Sequence, residues 1–362
     1  CANFERAMEL EHCSKPVSSW QFTTSNYGVV TTVQAEWDIV LNADSEEVQS
    51  SPALAMDERR IPRYKNLLML DESKKAELRQ AEVIAVILYT GPMFQVYNTI
   101  LRKHPSGDFE FFEKNKNLFS TTIFVLVSAI QKLSRVTKHS ADSRLYRGLG
   151  GTVILPEAFS VMDENGCTGF TEWGFMSTTS SKQIAIDYSG VKNIGSLPIV
   201  LEVRGGSIDR GACIQKFSQY PRELEYLFVP CSFLEQESDQ YVEVTPDGIV
   251  IVIPVRINAN LKTKTVDDYR EQQKELHISS FRYLIDEIKQ QIFANEILAE
   301  AERRLAHDAT RGSHTVESFL NSIVDKCNSV YSRHQAKNAE EFINDKKFRK
   351  MVLEMVDVRM MA

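Results

Sequence analysis

Three short segments of the chain carry side chains that could do chemistry together. Leu145-Tyr146-Arg147-Gly148 sets an arginine beside a glycine. A guanidinium is a planar fork of donors suited to phosphate, and the glycine lets a ligand approach the backbone closely. Phe175-Met176-Ser177-Thr178-Thr179-Ser180 is a run of hydroxyls after a half-apolar stretch. In extended chain Ser177 and Thr179 share one face and Thr178 takes the other. Such hydroxyls can orient a carboxylate or bond a polar ligand. Tyr220-Pro221-Arg222-Glu223-Leu224-Glu225-Tyr226-Leu227-Phe228 sets two carboxylates two residues apart. If both lie in the strand, Glu223 and Glu225 share a face. Alone, each segment also reads as plain strand: a surface arginine, a Ser/Thr edge, a solvated carboxylate face.

The elements that must position these side chains change character along the chain. Residues 1 to about 60 are mixed, with loop chemistry at Asp44-Ser45-Glu46-Glu47 and Ser50-Ser51-Pro52. Asp71 to Thr90 predicts a helix, closed by Gly91-Pro92 and followed by a second helix with Met93, Phe94, Tyr97, Ile100 and Leu101 on one stripe. A third helix is predicted over 117–137, with Phe119, Ile123, Leu126, Ile130 and Leu133 inward. From Arg144 short β-rich runs take over: Arg144 to Leu149, Gly169 to Ser177, Pro198 to Val203, Leu224 to Val229, Tyr241 to Val244 and Ile249 to Val255. Gly205-Gly206 and Pro246-Asp247-Gly248 are turn signals between them. Helices followed by strands indicate an α+β fold. From about 264 the chain is charged and helical. Phe281, Ile285, Ile288 and Ile292 form an amphipathic seam, and Gly312 is the expected break. A helical partner, or self-association through 266–305, is one expectation for that seam; packing on the chain's own core is the other.

Bulk composition narrows the function classes. At 362 residues and 43% apolar, a sizeable core is expected. A net charge of -7 argues against a general nucleic-acid binder. Cys1, Cys13, Cys167, Cys213, Cys231 and Cys327 are scattered, which favours reduced thiols over a disulfide framework. The seven histidines offer no zinc spacing, so no metal is expected. The longest apolar run, Val83 to Tyr89, falls far short of the ~20 residues of a membrane span. With no signal-peptide or anchor pattern, a cytoplasmic location is the expectation. No G-x-G-x-x-G follows a strand and there is no P-loop, so a nucleotide would be held in another way.

Taken in order, the arginine strand, the Ser-Thr-Thr strand and the Glu-x-Glu strand resemble the R-S-E class of arginine-specific mono-ADP-ribosyltransferases. Ile87-Leu88-Tyr89-Thr90-Gly91 leading to Tyr97-Asn98 and Leu101-Arg102 is similar to that family's helical segment. Ile214 through Ser218, then Tyr220 to Glu225, is similar to its acceptor-recognition loop running into the catalytic strand. The likeness covers about 64–258, and it departs at Thr179, where the family usually has Ser. It implies N-terminal helices packed on a split two-sheet β core, with a C-terminal helical extension. The implied organisation is a partly irregular extension over 1–63, a catalytic domain over 64–262 and a helical region over 263–362. It implies NAD (or NADP) as cosubstrate and a protein bearing an acceptor arginine as partner. Arg147, Ser177, Glu223 and Glu225 would be catalytic. Arg147, Gly148, Phe175, Ser177, Thr178 and Glu225 would contact NAD. Arg147 would anchor a phosphate or its ribose, Gly148 would present backbone groups to the nicotinamide amide, and Ser177 would hold Glu225. Glu225 would bond the ribose 2′-hydroxyl, and Glu223 would recognise the acceptor arginine. An NAD glycohydrolase on the same fold is the alternative enzyme. A non-catalytic interaction module is the alternative from another class.

Overall fold

Gln80 to Leu88 reads Gln-Ala-Glu-Val-Ile-Ala-Val-Ile-Leu, apolar almost all round. A helix of that composition belongs inside a protein rather than on its surface. The computed structural model describes residues 32–40, 59–114, 118–138, 143–151, 155–156, 159, 161–162, 168–193, 195, 198–204, 211–258, 264–306 and 315–361. The loop signals at 44–52 and the turn and break signals at Gly205-Gly206 and Gly312 lie outside the described residues. The chain divides into two compact units, Cys1–Thr265 and Val266–Ala362.

In the first unit the helices are α1 (Val33–Val40), α2 (Tyr64–Leu68), α3 (Asp71–Lys75), α4 (Gln80–Leu88), α5 (Phe94–Arg102), α6 (Ser106–Lys114) and α7 (Ser120–Val136). The single helix expected over Asp71 to Thr90 is two, because Glu77 adopts φ 52 and breaks the run. Val83 to Leu88 are all buried against α1, α2 and α7. Glu82 enters this core as a charge whose partners come with it. Its carboxylate accepts from the Arg79 N–H at 2.9 Å, Ser128 Oγ at 2.6 Å and Lys132 Nζ at 2.9 Å. A buried charge is tolerable only when paired and hydrogen-bonded in this way. Helix α1 lies in the stretch expected to be an irregular extension, yet Trp37 is fully buried and Glu36 accepts from Tyr97 and Thr122. No single helix among the described residues is long and apolar enough to cross a membrane.

The strands are β1 (Arg144–Gly148), β2 (Phe170–Glu172), β3 (Met176–Thr179), β4 (Ile199–Arg204), β5 (Ala212–Cys213), β6 (Glu225–Phe228), β7 (Ser232–Gln236), β8 (Tyr241–Thr245) and β9 (Gly248–Asn258). A short helix α8 (Lys182–Asp187) follows β3. The strand expected from Gly169 to Ser177 is divided into β2 and β3, and β5 and β7 were not foreseen. The order is β2-β7-β9-β4-β1-β3-β6-β5, with β8 also on β9; among the described residues only β4 and β9 run parallel. β1 pairs with β4 over five residues but with β3 at Tyr146↔Thr179 alone. The split of the β core falls at that single pair. One hydrophobic cluster fills the space between the helices and the β3–β6–β5 half, through Phe175, Ala212, Phe217 and Leu227. A second lies on the larger half, around Leu145, Leu201, Val203, Val255 and Ile257.

The second unit is helical: α9 (Val266–Ile292), α10 (Asn295–Ala306), α11 (Val316–Gln335), α12 (Ala339–Phe342) and α13 (Asp345–Met361). The seam of Phe281, Ile285, Ile288 and Ile292 is buried against Val316, Leu320, Val324 and Cys327 of α11 and Val358 of α13. The partner expected for that seam is therefore supplied within the unit. Above it, His277 Nε2 meets His334 Nδ1 at 3.1 Å, and His334 Nε2 meets Glu354 Oε2 at 2.9 Å. Phe281, Phe342 and Phe348 surround the His277 ring. Burial, then the neighbouring His334, pulls the His277 pKa down. A base whose pKa falls on folding leaves the unfolded chain binding more protons below its free value, about 6.5 for histidine. The stability from this layer is therefore fully present above that pH and is lost as pH falls through it. Hydrogen exchange on peptides from 266–361, corrected for intrinsic rates, should show protection dropping between neutral pH and the acid side of 6.5. Protection independent of pH would contradict this account.

Candidate active site

Glu225 opens β6, and its pairing decides where its side chain goes. Thr179 lies directly opposite it, with Ser177 two residues further along β3. Residues paired across a ladder, and those two apart in one strand, share a face. Glu225, Thr179 and Ser177 therefore face the same way. The Ser177 side chain beside the Glu225 carboxylate favours its charged form. Arg147 arrives from β1 across the split, its Nη1 donating to the Ser177 carbonyl at 2.8 Å.

Glu223 reaches the same place by a different route. The expected shared strand face is not what the chain adopts. Pro221–Glu223 is a 3-10 turn, and Leu224 follows in the left-handed region at φ 49, ψ 46. A non-glycine residue there is strained by about 1–3 kcal/mol and persists only where its neighbours over-determine it. They do so here. Thr179 Oγ1 donates to the Glu223 carbonyl at 2.6 Å, and the Ser180 N–H donates to the Leu224 carbonyl at 3.3 Å. The hydroxyl kept at Thr179 thus fixes the turn that carries Glu223. The Glu223 carboxylate accepts from the Tyr188 hydroxyl at 2.7 Å.

The third wall comes from the end of α4. Tyr89–Met93 continues it as a wide turn in which Gly91 leaves helical geometry. Gln219, fully buried, ties the loop before Tyr220 to this turn. Its Nε2 donates to the Ile87 carbonyl at 2.8 Å and its N–H to Thr90 Oγ1 at 3.1 Å. Its Oε1 accepts from both Nε and Nη2 of Arg59. A side chain at Gly91 would meet Gln219 at 2.4 Å, so the glycine is what lets the loop seat. Sequence reasoning passed over Gln219 and Tyr188, since neither belongs to a local pattern.

These walls enclose a cleft of about 810 Å³ lined by Arg147, Gly148, Ser177, Thr178, Glu223 and Glu225, with Tyr89, Tyr146, Tyr188 and Tyr220 around them. That volume falls in the ~300–1,000 Å³ range of ligand pockets. Of the expected contacts, only Phe175 stays out of the cleft: its ring is fully buried and packs edge-on against Tyr89 at 5.3 Å. Its N–H is held by Asn98 Oδ1 at 2.8 Å, which turns the ring into the helical core. Thr178 lines the cleft, though its hydroxyl is spent on the Tyr226 carbonyl at 2.9 Å. Among the described residues no group of three or more His, Cys, Asp or Glu side chains could hold a metal ion.

The electrostatics follow from burial. Burial pushes the Glu225 carboxyl up to about 7; Ser177 opposes the shift, Glu223 adds to it and Arg147 opposes it. Burial also raises Glu223, against the pull of Tyr188. The Tyr89 hydroxyl is raised, by burial and then by Glu225. Burial lowers the Arg147 guanidinium somewhat, with Glu172 opposing.

Gly148 has a packing duty of its own. A Cβ there would lie 2.2 Å from the Ala185 carbonyl and 2.6 Å from the Ser189 N–H, so α8 rests directly on β1. Gly148→Ala should force α8 outward and destabilise the fold by about 1–3 kcal/mol. Urea denaturation checks this, and a midpoint equal to wild type would show that α8 does not depend on the glycine.

Residues 31–243 match the family model described as NAD:arginine ADP-ribosyltransferase. No curated protein matches the chain. Among solved structures, the ADP-ribosyltransferase HopU1 of Pseudomonas syringae pv. Tomato DC3000 is 18% identical, over 71% of this chain and 96% of that one, with a TM-score of 0.40. Plx2a, an ADP-ribosyltransferase toxin from Paenibacillus larvae, is 20% identical over 54% of this chain and 95% of that one, with a TM-score of 0.37. An ADP-ribosyltransferase from Clostridium botulinum is 20% identical over 51% of this chain and 90% of that one, with a TM-score of 0.34.

Proposed function

Because this chain belongs to the NAD:arginine ADP-ribosyltransferase family, we propose that it transfers ADP-ribose from NAD to an arginine side chain of a protein, releasing nicotinamide. The observation that carries the arginine reading is that Glu223 and Glu225 line one cleft, from different backbone conformations, with Arg147 and Ser177 beside them.

The chemistry follows. Arg147 binds the NAD phosphate side with its fork of donors. The bond between ribose C1′ and the nicotinamide nitrogen breaks, and its electron pair goes to the pyridinium, which leaves neutral. No acid is needed to expel it. Positive charge grows on the sugar, and a fixed carboxylate at Glu225 stabilises that state more than the ground state. Ser177 orients Glu225 and favours its charged form. A guanidinium nitrogen of the acceptor then bonds to C1′. Guanidinium is protonated at any ordinary pH, so it needs help to attack. Glu223 orients its fork and takes the proton released as the new bond forms.

With agmatine as acceptor, the purified protein should form an ADP-ribosyl adduct and release nicotinamide. Well-folded protein that does neither would refute the reading. Glu225→Gln should lower both rates by about 10²–10³-fold, the effect of deleting one preorganised electrostatic contact. Glu223→Gln should lose transfer and keep NAD hydrolysis; normal transfer by that variant would remove Glu223 from the role given to it.

The acid limb offers a separate check. An acid whose pKa is raised to about 7 is neutral below that pH, so activity that needs the carboxylate is lost as pH falls through it. kcat/KM for NAD, which reports the free enzyme, should have its acid limb near there. Removing the Ser177 hydroxyl takes away a group that favours the charged form, so Ser177→Ala should move the limb to higher pH. A limb that stays put in Ser177→Ala would exclude Glu225 as the titrating group.

A further inference from the structure

Tyr188 belongs to no motif in the sequence, yet it meets Glu223 directly. Its hydroxyl donates to Glu223 Oε1 at 2.7 Å, and the residue lines the same cleft as Arg147, Ser177 and Glu225. Backbone contacts fix where that hydroxyl stands. Tyr188 closes α8, its N–H donating to the Ile184 carbonyl and its own carbonyl accepting from Gly150 N–H, each at 3.0 Å. Helix α8 is pressed onto β1 where Gly148 has no side chain. Beyond it, Gly190 at φ +80 passes against Gly150, where a Cβ would come within 2.9 Å of backbone. Gly148 and Gly190 thus seat the end of α8 so that one phenol reaches one carboxylate.

From this placement we infer that Tyr188 is a positioning residue for the acceptor: its hydroxyl holds Glu223 in the cleft and so sets how ADP-ribose divides between a guanidine and water. The inference rests on the arginine-transfer reading above. A carboxylate offers about four acceptor sites, so one bond to Tyr188 leaves capacity for a guanidinium fork. The phenol is neutral and does not compete with the acceptor as a charge would. Burial, then the bond to Glu223, holds the phenol in its protonated, donating form. The groups around Glu223 are Tyr188 from α8, Glu225 from β6, and Tyr220 and Arg222 from its own turn, with Arg147 beside Glu225. Burial disfavours a negative charge on Glu223, and the Tyr188 bond opposes it.

Tyr188→Phe removes the hydroxyl and keeps the ring. Adduct formation with agmatine, and nicotinamide release without it, would be measured across a pH series. The variants are Tyr188→Phe, Tyr188→Leu and Tyr188→Phe combined with Glu223→Gln, each checked for wild-type thermal unfolding. The ratio of transfer to hydrolysis should fall about 3- to 10-fold in Tyr188→Phe, the reach of a single hydrogen bond. The acid limb of transfer should move to higher pH, and that of hydrolysis should not follow. Within the Glu223→Gln background, removing the Tyr188 hydroxyl should leave the remaining NAD hydrolysis and its acid limb unchanged. Three results overturn the proposal: an unchanged ratio and limb in Tyr188→Phe, a loss confined to Tyr188→Leu, or a further change in hydrolysis when Glu223 is already replaced. Wild type that releases nicotinamide but modifies no guanidine would refute the arginine reading first, and this proposal with it.

Discussion

The site depends on a piece of sheet that is barely made. β1 and β3 are neighbours in the strand order, yet they pair at Tyr146 opposite Thr179 and nowhere else. A full ladder between them would fill the space with backbone hydrogen bonds and side chains of two flat neighbours. One pair holds the halves together and lets them part on either side. Arg147 lies next to that pair on one strand, and Thr179 and Ser177 lie at and beyond it on the other. The guanidinium of Arg147 spans the gap to the Ser177 carbonyl, so a cation replaces the missing ladder bond. The backbone is satisfied and the cation stays where an anionic ligand can use it.

The electrostatic balance follows from that geometry. A shift of the Glu225 carboxyl from 4.5 to about 7 corresponds to a few kcal/mol of disfavour for the charged form, at ~1.36 kcal/mol per unit. The site is therefore poised against its own carboxylate. Growing positive charge at that spot relieves the penalty. In a low-dielectric cleft such an interaction is worth far more than the same pair in water. A fully solvated Glu225, as the bare Glu-Leu-Glu pattern allowed, would have had little of this to offer.

Some of this was legible in the sequence and some was not, for physical reasons. α5 and α7 carry apolar stripes and α4 a continuous apolar run, and their helices are present. β5 is two residues long and α6 alternates charge and aromatics, so neither leaves a clear period. The ordered Arg-Gly, Ser-Thr-Thr and Glu-x-Glu segments were readable because each is contiguous. Gln219 and Tyr188 were not, because their partners stand 132 and 35 residues away. A glutamine in a loop reads as solvated until the backbone it bonds is known. Phe175 differs in the other direction: Ser177 and Thr178, a few residues on, line the cleft, but the Asn98 bond to the Phe175 N–H fixes the backbone where its ring enters the core.

The two carboxylates show why adjacency in sequence did not decide their geometry. On one regular strand Glu223 and Glu225 would point the same way at a fixed spacing, and each would raise the other's pKa strongly. The chain instead breaks between them. The 3-10 turn and the left-handed Leu224 re-aim Glu223, and Thr179 and Ser180 of β3 hold that break in place. Each carboxylate then has its own hydroxyl neighbour: Ser177 favours the charged form of Glu225, and Tyr188 donates to Glu223. Separate neighbours allow the two groups to be tuned separately, although both line one cleft. The strain at Leu224 is thus coupled to setting two acids in different surroundings, and β3 supplies hydroxyls to both sides of that arrangement. A serine at 179 would keep the bond to the Glu223 carbonyl, because the hydroxyl, rather than the methyl, closes the turn.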